Sequence, residues 1–337
     1  MRVLFILKQG CGYGHWSHKS SGLFNSASAC SRMLEDEGIH SKVVEVVDNN
    51  AIDREVTRYN PTHVIVEAIW VVPEKFQVLT RLHPKVKWIV RVHSKVPFLA
   101  NEGVAVDWLL RYGQYRNVFI AFNDHGTQQD FYRLTKCERP VLFLPNYYIR
   151  PQARRYPHNP TMLNVACLGA IRPLKNQLIQ AIAAIEAADE MKKILHFHIN
   201  ADRVEMAGSS ILKNLRALFS AHRCPHVLVE HPWMDHDEML RLISKMDVGM
   251  QVSLSETFCI MAADFVFSSV PVVLSNEIPW ASSWCVAATS DAVDIAEKTL
   301  RAARWPWLNV NRNRAHLVNY SRDSQKWWLK ELEMVEG

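Results

Sequence analysis

The stretch Arg2-Val-Leu-Phe-Ile-Leu7, followed by Gly10-Cys-Gly-Tyr-Gly14, decides the fold of the N-terminal half. The first part is a continuous apolar run of the kind found in strands that are buried on both faces. The glycines then predict a turn, and the Ser- and Ala-rich segment that ends at Gly38 predicts a helix. Strand, glycine-rich turn and helix in this order indicate a βα unit whose turn faces a ligand.

The same alternation continues along residues 1–150. Further runs typical of strands lie at Lys42–Val47, His63–Ala68, Lys87–Val92, Val118–Phe122 and Val141–Leu144. We expect helical or irregular segments between them. This half is therefore predicted to be one complete α/β domain with a parallel sheet.

A proline-rich segment, Arg150–Pro160, separates this pattern from a second one and is the predicted linker. The strands predicted beyond it are Leu163–Leu168, Ile194–Ile199, Val227–Glu230, Val248–Val252 and Val270–Leu274. The helices predicted there are Asn176–Ala188, Ser210–Ala221, Glu238–Met246 and Met261–Ser268. The fold class is thus α/β, with two Rossmann-like, doubly wound parallel-sheet domains. Their ligands are expected in a cleft lined by the loops at the carboxyl ends of the strands.

Length and composition restrict the class of protein. A chain of 337 residues exceeds what one core usually supports, and 48% hydrophobic with 22% charged residues excludes a disordered or fibrous protein. No apolar stretch approaches the roughly 20 residues of a spanning helix, and the N-terminus has no cleavage-site pattern. Seven scattered cysteines without a CxxC pair indicate free thiols. We therefore predict a cytoplasmic protein.

The positive charge is confined to the first half. Residues 1–150 contain 19 Lys and Arg against 14 Asp and Glu, whereas residues 151–337 contain 20 of each. This asymmetry is compatible with an anionic partner for the first half, and equally with an ordinary solvated surface.

The richest cluster of polar residues is Ser253-Leu-Ser-Glu-Thr-Phe-Cys-Ile-Met-Ala-Ala-Asp264. It joins a predicted strand to a predicted helix, and the unpaired backbone N–H groups of a helix start suit a diphosphate. Glu256 and Asp264 are eight residues apart, so the helix would carry Asp264 to a place where it accepts hydrogen bonds from sugar or ribose hydroxyls. Taken alone, two acids at this spacing are more often surface residues.

This stretch resembles the E-x7-E motif of the retaining family-four glycosyltransferases. Glu256 and Asp264 match the two acids, Phe258 matches the aromatic residue, and Pro271-Val-Val273 matches the closing strand. Other segments are similar to that family in the same order, namely Asn123-Asp-His-Gly126, Pro145-Asn146 and Leu168-Gly-Ala-Ile-Arg-Pro-Leu-Lys175. The resemblance implies a GT-B fold with domains 1–150 and 151–315 and a C-terminal helix, 316–337, that crosses back to the first domain. Within the segment Tyr320–Met334, burial is expected for Trp327, Trp328, Leu329 and Leu332.

The resemblance also implies a donor site for a nucleoside diphosphate sugar, with UDP-sugars favoured. The donor-binding residues would be Gly169, Arg172, Lys175, Glu256, Thr257, Phe258, Cys259 and Asp264. Lys175 would neutralise the leaving diphosphate. The sequence departs from the family where Asp264 replaces a glutamate, where Thr257 and Cys259 replace glycines, and where Ala170 stands at the position of the expected arginine, with Arg172 two residues beyond it.

The N-terminal half would hold the acceptor. The resemblance assigns this role to Gly12, Tyr13, His15, His18 and Lys19 of the glycine-rich loop, and the strand end at His93 adds Arg91, Ser94 and Lys95. His93 matches a histidine that reaches the reacting sugar, so the predicted catalytic residues are His93, Lys175 and Glu256. The loop lacks the full dinucleotide fingerprint, and Asp48 is poorly placed for NAD, which argues against an oxidoreductase.

We predict neither a metal nor another cofactor. Asp235-His-Asp237 has the DxD form, but Asp235 and Glu238 have the spacing of a helix capping box. His222, Cys224, His226 and His231 lack the paired spacing of zinc ligands, so we interpret them as structural.

The acceptor stays open at this point. A basic half with aromatic residues favours a hydroxymethylated pyrimidine in DNA, and the aromatic residues in question are Tyr13, Trp16, Trp70, Trp108, Tyr112 and Tyr115. A glycan or lipid-linked glycan is the alternative. A nucleotide-sugar epimerase or a non-catalytic nucleotide-sugar-binding protein on the same fold are the competing functions. The sequence determines neither the sugar nor the oligomeric state.

Overall fold

The computed structural model describes residues 1–10, 22–135, 140–153, 155–156 and 159–336. The chain divides into two units. The first comprises Met1–Ile149 and the C-terminal segment from Tyr320, and the second comprises Arg150–Asn319.

A parallel sheet forms the centre of the first unit. Its strands are β1 (Arg2–Lys8), β2 (His40–Val46), β3 (His63–Glu67), β4 (Lys87–Val92), β5 (Val118–Phe122) and β6 (Leu142–Phe143). They pair in the order β2-β1-β3-β4-β5-β6. In β1, Leu4 and Ile6 face one hydrophobic cluster while Val3, Phe5 and Leu7 face another. The sheet is buried on both faces, which explains why this strand is a continuous apolar run.

Helices cover both faces of this sheet. They are α1 (Gly22–Asp36), α2 (Ala51–Tyr59), α3 (Pro73–Leu82), α4 (Val96–Leu99), α5 (Ala105–Tyr112) and α6 (His125–Thr135). Cys30, Met33 and Leu34 of α1 pack on one face, and Phe76 and Leu79 of α3 pack on the other.

The second unit repeats this plan. Its strands are β7 (Met162–Ala166), β8 (Ile194–Asn200), β9 (Val227–His231), β10 (Val248–Gln251) and β11 (Val272–Leu274), in the parallel order β11-β10-β7-β8-β9. Its helices are α7 (Gln177–Glu190), α8 (Gly208–Phe219), α9 (His236–Ile243), α10 (Ile260–Phe267) and α11 (Ala292–Arg304). The sequence pattern did not predict α11, although Asp291 caps it by accepting from the backbone N–H groups of Val293 and Asp294. All eleven predicted strands lie on observed ones, so the predicted fold class is confirmed.

The last helix, α12 (Pro306–Glu336), is 31 residues long. The pattern predicted only its second half, Tyr320–Met334, because the first half has no simple apolar stripe. Trp328 and Leu332 are fully buried in the first unit, and the ring of Trp328 lies 5.7 Å from that of Phe5. Trp327 and Leu329 are only partly buried.

A glycine allows α10 to lie close to β10. A Cβ atom on Gly249 would come within 2.6 Å of the Phe265 ring, so any larger residue would push the helix away. This contact fixes the loop between β10 and α10, in which Glu256 lies.

The five cysteines among the described residues, Cys30, Cys167, Cys224, Cys259 and Cys285, are free thiols, whereas Cys11 and Cys137 lie outside the described part. In the part of the chain that the structure describes, none of the helices is long and apolar enough to cross a membrane.

Candidate active site

Two loops of the second unit meet at the carboxyl ends of β7 and β10. Gly169 follows β7 with a φ of +113°, a conformation that side chains strongly disfavour, and its N–H donates to the Asn200 side chain at 2.9 Å. After a short 3-10 turn, Pro173–Lys175, the side-chain amide of Asn176 donates to the Val252 carbonyl at 3.1 Å. The loop after β7 is thereby held against the loop after β10.

Lys175 and Glu256 form an ion pair across these two loops. The ammonium donates to Glu256 Oε2, and the side chains are 14% and 13% exposed. The other carboxylate oxygen, Oε1, accepts from the backbone N–H of Thr257 at 3.2 Å. A nearly buried cation and anion therefore lie where the resemblance places a donor site.

Both members of this pair keep their charge. Burial alone would raise the pKa of Glu256, but the charge and hydrogen bond of Lys175 outweigh it and hold that pKa below its ordinary value. Burial alone would lower the pKa of Lys175, but the Glu256 carboxylate overcomes this and raises it. The site consequently presents a fixed cation at neutral pH.

The residues after Glu256 form the start of α10. Phe258 is buried against Trp280, whose indole N–H donates to the Phe258 carbonyl at 2.8 Å. Cys259, which replaces a glycine of the family motif, has a φ of +61° and is strained for a side chain there. Its thiol lies 3.4 Å from the Gln251 side-chain oxygen. This turn aims the first backbone N–H groups of α10 out of the helix.

Asp264 lies one turn into α10 and is 1% exposed. Its Oδ2 atom is 3.0 Å from Nε2 of His236, and Nη1 of Arg150 lies 3.0 Å from Nδ1 and 3.2 Å from Nε2 of the same ring. Arg150 and His236 were not identified from the sequence. The Asp235-His-Asp motif offered a signal, since it places a histidine at the first residue of α9, but the pattern does not reveal what that side chain contacts.

The predicted capping box is confirmed. Asp235 accepts from the Glu238 backbone N–H at 2.8 Å, and the Glu238 carboxylate accepts from the Asp235 backbone N–H at 3.1 Å. His226 and His231 have structural contacts as predicted. His226 accepts from the Leu195 backbone N–H at 3.0 Å, and His231 stacks on His198.

Arg172 points to a different partner from Lys175. Its guanidinium lies 3.3 Å from Glu205, which Arg203 also contacts at 2.7 Å. These three residues form a charge network at the ends of β7 and β8.

A second polar cluster lies at the carboxyl edge of the first sheet. Arg91 is completely buried and donates to both oxygens of Glu67, at 3.1 and 3.3 Å. It also donates to the Leu144 carbonyl at 2.8 Å and to the Asn146 side-chain oxygen at 2.7 Å. Arg91 was predicted to contact an acceptor, but its guanidinium is enclosed by these partners and does not reach the surface.

His93 and Lys95 lie beside this cluster. The His93 ring contacts the Glu67 carboxylate through Nε2, and its side chain is 11% exposed. Burial lowers the pKa of His93 and the nearby Glu67 charge only partly offsets this, so the imidazole is neutral. Lys95 is 3.7 Å from Asp124, and Ser94 is half-buried next to it.

The remaining predicted acceptor residues, Gly12, Tyr13, His15, His18 and Lys19, lie outside the described part of the chain, as does Trp16.

Comparisons with known proteins show which solved structures share this architecture. No protein-family model matches the chain, and no curated protein matches it. Solved structures do match. An Escherichia coli trehalose-6-phosphate protein bound with UDP-2-fluoro glucose superposes with a TM-score of 0.68 over 99% of both chains, at 11% sequence identity.

The chain has the GT-B fold. Sucrose-phosphate synthase of Thermosynechococcus elongatus matches this GT-B chain with a TM-score of 0.66 over 99% of it and 97% of the synthase, at 13% identity. TarM of Staphylococcus aureus, solved with fondaparinux, α-GlcNAc-glycerol and UDP, matches with a TM-score of 0.59 over 79% of this chain and 55% of TarM, at 11% identity. At these identities the likeness concerns the fold.

Within the GT-B frame, the structure brings together Lys175, Glu256, Thr257, Phe258 and Cys259 beyond the ends of the neighbouring strands β7 and β10, whereas Gly169 contacts Asn200 at the end of β8. It pairs Asp264 with His236 and Arg172 with Glu205.

Proposed function

We propose that this protein is a GT-B glycosyltransferase that moves a sugar from a nucleoside diphosphate sugar to an acceptor hydroxyl. The observation that carries the proposal is the Lys175–Glu256 pair, which holds a fixed cation beside the start of α10 and the Gly169 turn. A cation, a helix N-terminus and a glycine turn at one strand edge are the groups that a diphosphate needs. UDP-sugars are favoured, because proteins of the same fold were solved with UDP-2-fluoro glucose and with UDP.

In the proposed reaction the diphosphate binds Lys175 and the backbone N–H groups near Thr257 and Phe258. The diphosphate competes with Glu256 for Lys175, which frees that carboxylate to accept hydrogen bonds from sugar hydroxyls. Asp264 would accept from the ribose hydroxyls once they displace His236, which contacts its Oδ2 atom at 3.0 Å. The cation then stabilises the negative charge that grows on the leaving diphosphate, and it does so more in the transition state than in the ground state.

The bond between the anomeric carbon and the phosphate oxygen breaks as the acceptor hydroxyl oxygen attacks the same carbon. We infer retention of configuration, with the departing phosphate oxygen taking the hydroxyl proton. This leaves a nucleoside diphosphate and the glycosylated acceptor as products. The resemblance of the Glu256–Asp264 segment to the retaining family is what supports this stereochemistry.

The test is release of nucleoside diphosphate from a panel of UDP- and GDP-sugars, with and without candidate acceptors. Wild type is compared with Lys175→Ala, and Lys213→Ala, an exposed lysine on α8 of the same unit, serves as the matched control. Acceptor-dependent release that disappears only in Lys175→Ala supports the transferase. An epimerase would convert the donor without acceptor and without release, and a binding protein would show affinity without turnover.

For the acceptor, DNA containing a hydroxymethylated pyrimidine is a candidate because the excess positive charge lies in residues 1–150. Tyr112 does not support it. Its side chain is fully buried against the Phe76 ring, at 5.2 Å, so it is a core residue and cannot stack on a base. Trp70, Trp108 and Tyr115 pack partly into the same core.

The acceptor classes are distinguished by measuring nucleoside diphosphate release with hydroxymethylated duplex DNA and with an unmodified duplex of the same sequence. Release that only the modified duplex stimulates, with binding that weakens steeply as salt rises, supports the DNA acceptor. Release stimulated by a glycan or lipid-linked glycan instead would exclude DNA and leave the donor site intact.

A further inference from the structure

The buried cluster of the first unit contains a chain of hydrogen bonds that begins at Arg91. A guanidinium can only donate, so the Asn146 atom that accepts from Arg91 Nη2 at 2.7 Å must be its oxygen. Asn123 contacts that same oxygen at 3.0 Å and must therefore present its nitrogen. The orientation of both amides follows from one donor.

The two ring nitrogens of His93 face a donor on one side and an acceptor on the other. The Asn123 nitrogen faces His93 Nδ1 at 3.4 Å, and an amide nitrogen only donates. On the other side of the ring, Nε2 faces the Glu67 carboxylate, which only accepts and whose pKa is lowered because the charge of Arg91 and the hydrogen bonds from Arg91 and His93 outweigh the effect of burial. The ring therefore carries its proton on Nε2 and a lone pair on Nδ1.

We propose that Glu67 and Arg91 are positioning residues that hold His93 in this one tautomer, so that Nδ1 accepts a hydrogen bond from a substrate hydroxyl. The proposal rests on the glycosyltransferase function above, in which the acceptor and the transferred sugar both carry hydroxyls. At 3.4 Å the Asn123 contact is at the long end of hydrogen bonding, and the Asn123 nitrogen keeps its 3.0 Å bond to Asn146 when a hydroxyl takes its place at Nδ1.

Burial distinguishes the contact between His93 and Glu67 from an ordinary histidine–carboxylate contact. Glu67 and Arg91 have fully buried side chains, and their residues are direct neighbours in the β3–β4 register. In the same unit His83 contacts Asp53 at 2.7 Å, but the Asp53 side chain is 44% exposed. Water competes for Asp53, whereas the buried Glu67 carboxylate is oriented by Arg91, which donates to both of its oxygens. A single tautomer is therefore enforced at His93.

The first experiment reads the tautomer by ¹⁵N–¹H long-range correlation NMR of the histidine rings in the whole protein. The His93 signals are identified by their loss in His93→Gln. In wild type we expect a protonated Nε2 and an unprotonated Nδ1. In Glu67→Gln, the amide oxygen turns to Arg91 and its NH₂ group faces Nε2 of His93, so the proton should move to Nδ1 and displace the long 3.4 Å contact with the Asn123 nitrogen.

Two further variants keep this test decisive. Glu67→Gln leaves a buried Arg91 charge, and if it does not fold, the double variant Glu67→Gln with Arg91→Met removes both charges and is read instead. Asp53→Asn is the matched control and should leave the His93 signals unchanged. A His93 ring that keeps its proton on Nε2 in both Glu67 variants would overturn the proposal.

The second experiment measures turnover. A reversed donor and acceptor at His93 should lower kcat about 10- to 100-fold in Glu67→Gln, and Glu67→Asp, which keeps the charge, should recover part of the loss. Glu74→Gln, an exposed site of the same unit, should leave kcat unchanged. A reversed tautomer with unchanged kcat would overturn the role toward substrate. If wild type shows no turnover of any nucleotide sugar, the proposed function fails, while the NMR result still decides whether Glu67 sets the tautomer.

Discussion

Two buried ion pairs, one in each unit, differ in how completely they are enclosed. Arg91 and Glu67 are fully buried, and the guanidinium also donates to the Leu144 carbonyl and to Asn146. Lys175 and Glu256 are 14% and 13% exposed, and the ammonium donates to a single carboxylate oxygen.

The difference indicates two uses of buried charge. Arg91 is held by partners from several segments of the chain, so no ligand could replace them without dismantling the edge of the sheet. Among the described residues Lys175 has one carboxylate partner, and it keeps some contact with solvent, so an anionic ligand has a route to the ammonium and can replace Glu256 as its partner. The first pair stabilises the sheet edge and orients its neighbours, and the second is the pair that we propose binds the diphosphate.

The largest expected effect is on stability. Arg91→Met leaves Glu67 charged and buried, so the free energy of unfolding should fall by about 3–5 kcal/mol in urea denaturation. Arg111→Met, which removes the partly exposed partner of Glu74, should change it by less than about 0.5 kcal/mol. A loss at Arg91 no larger than at Arg111 would remove the distinction between the two ion pairs.

The second effect is on turnover. Lys175→Ala should lower kcat for nucleoside diphosphate release by about 10²- to 10³-fold, because the leaving charge loses its cation. Its cost in unfolding free energy should be only about 1–2 kcal/mol, less than that of Arg91→Met, since Glu256 keeps its backbone donor and some solvent. The idea of a binding pair is wrong if Lys175→Ala destabilises as much as Arg91→Met and turns over donor at the wild-type rate.

The third effect is on the pH dependence of stability, and it concerns one buried histidine in each unit. Burial lowers the pKa of His63 to about 4 and that of His198 to about 3. Since the unfolded chain binds the proton near pH 6.5, each histidine destabilises the folded state as pH falls below that value. Between pH 6.5 and 5 the loss should be about 2 kcal/mol per histidine.

Urea denaturation of wild type, His63→Gln and His198→Gln at both pH values checks this. Each variant should lose about 2 kcal/mol less than wild type on acidification. An unchanged pH dependence in either variant would mean that the histidine it replaces is not the group that titrates.

The smallest effect concerns the strained turn before α10. Because Cys259 has a φ of +61°, Cys259→Gly should be more stable than Cys259→Ala by about 1 kcal/mol. At Ala262, inside the same helix, glycine should instead cost about 1 kcal/mol. Thermal unfolding of the three variants gives both values, and a Cys259→Ala variant as stable as Cys259→Gly would show that this turn stores no strain.

The sequence predicted the donor loops better than the first-unit cluster. The segments around Gly169 and Glu256 each carry a local pattern, namely a strand, a turn and a helix start, and that pattern placed both at a strand edge. Arg91 was assigned to the acceptor only because it lies near the strand end at His93. Its enclosure by Glu67, Asn146 and the Leu144 carbonyl could not be predicted from that position.

By itself the sequence determined the two sheets, the order of their elements along the chain and the positions of the loops after β7 and β10, because strand and helix periodicity are local properties of the chain. Only the tertiary structure decided which side chains contact each other. Lys175 meets Glu256 across 81 residues, His236 meets Asp264 across 28, and Arg91 meets Asn146 across 55. A side chain's charge state, tautomer and exposure depend on which distant groups the packing brings against it, and no spacing along the chain encodes that.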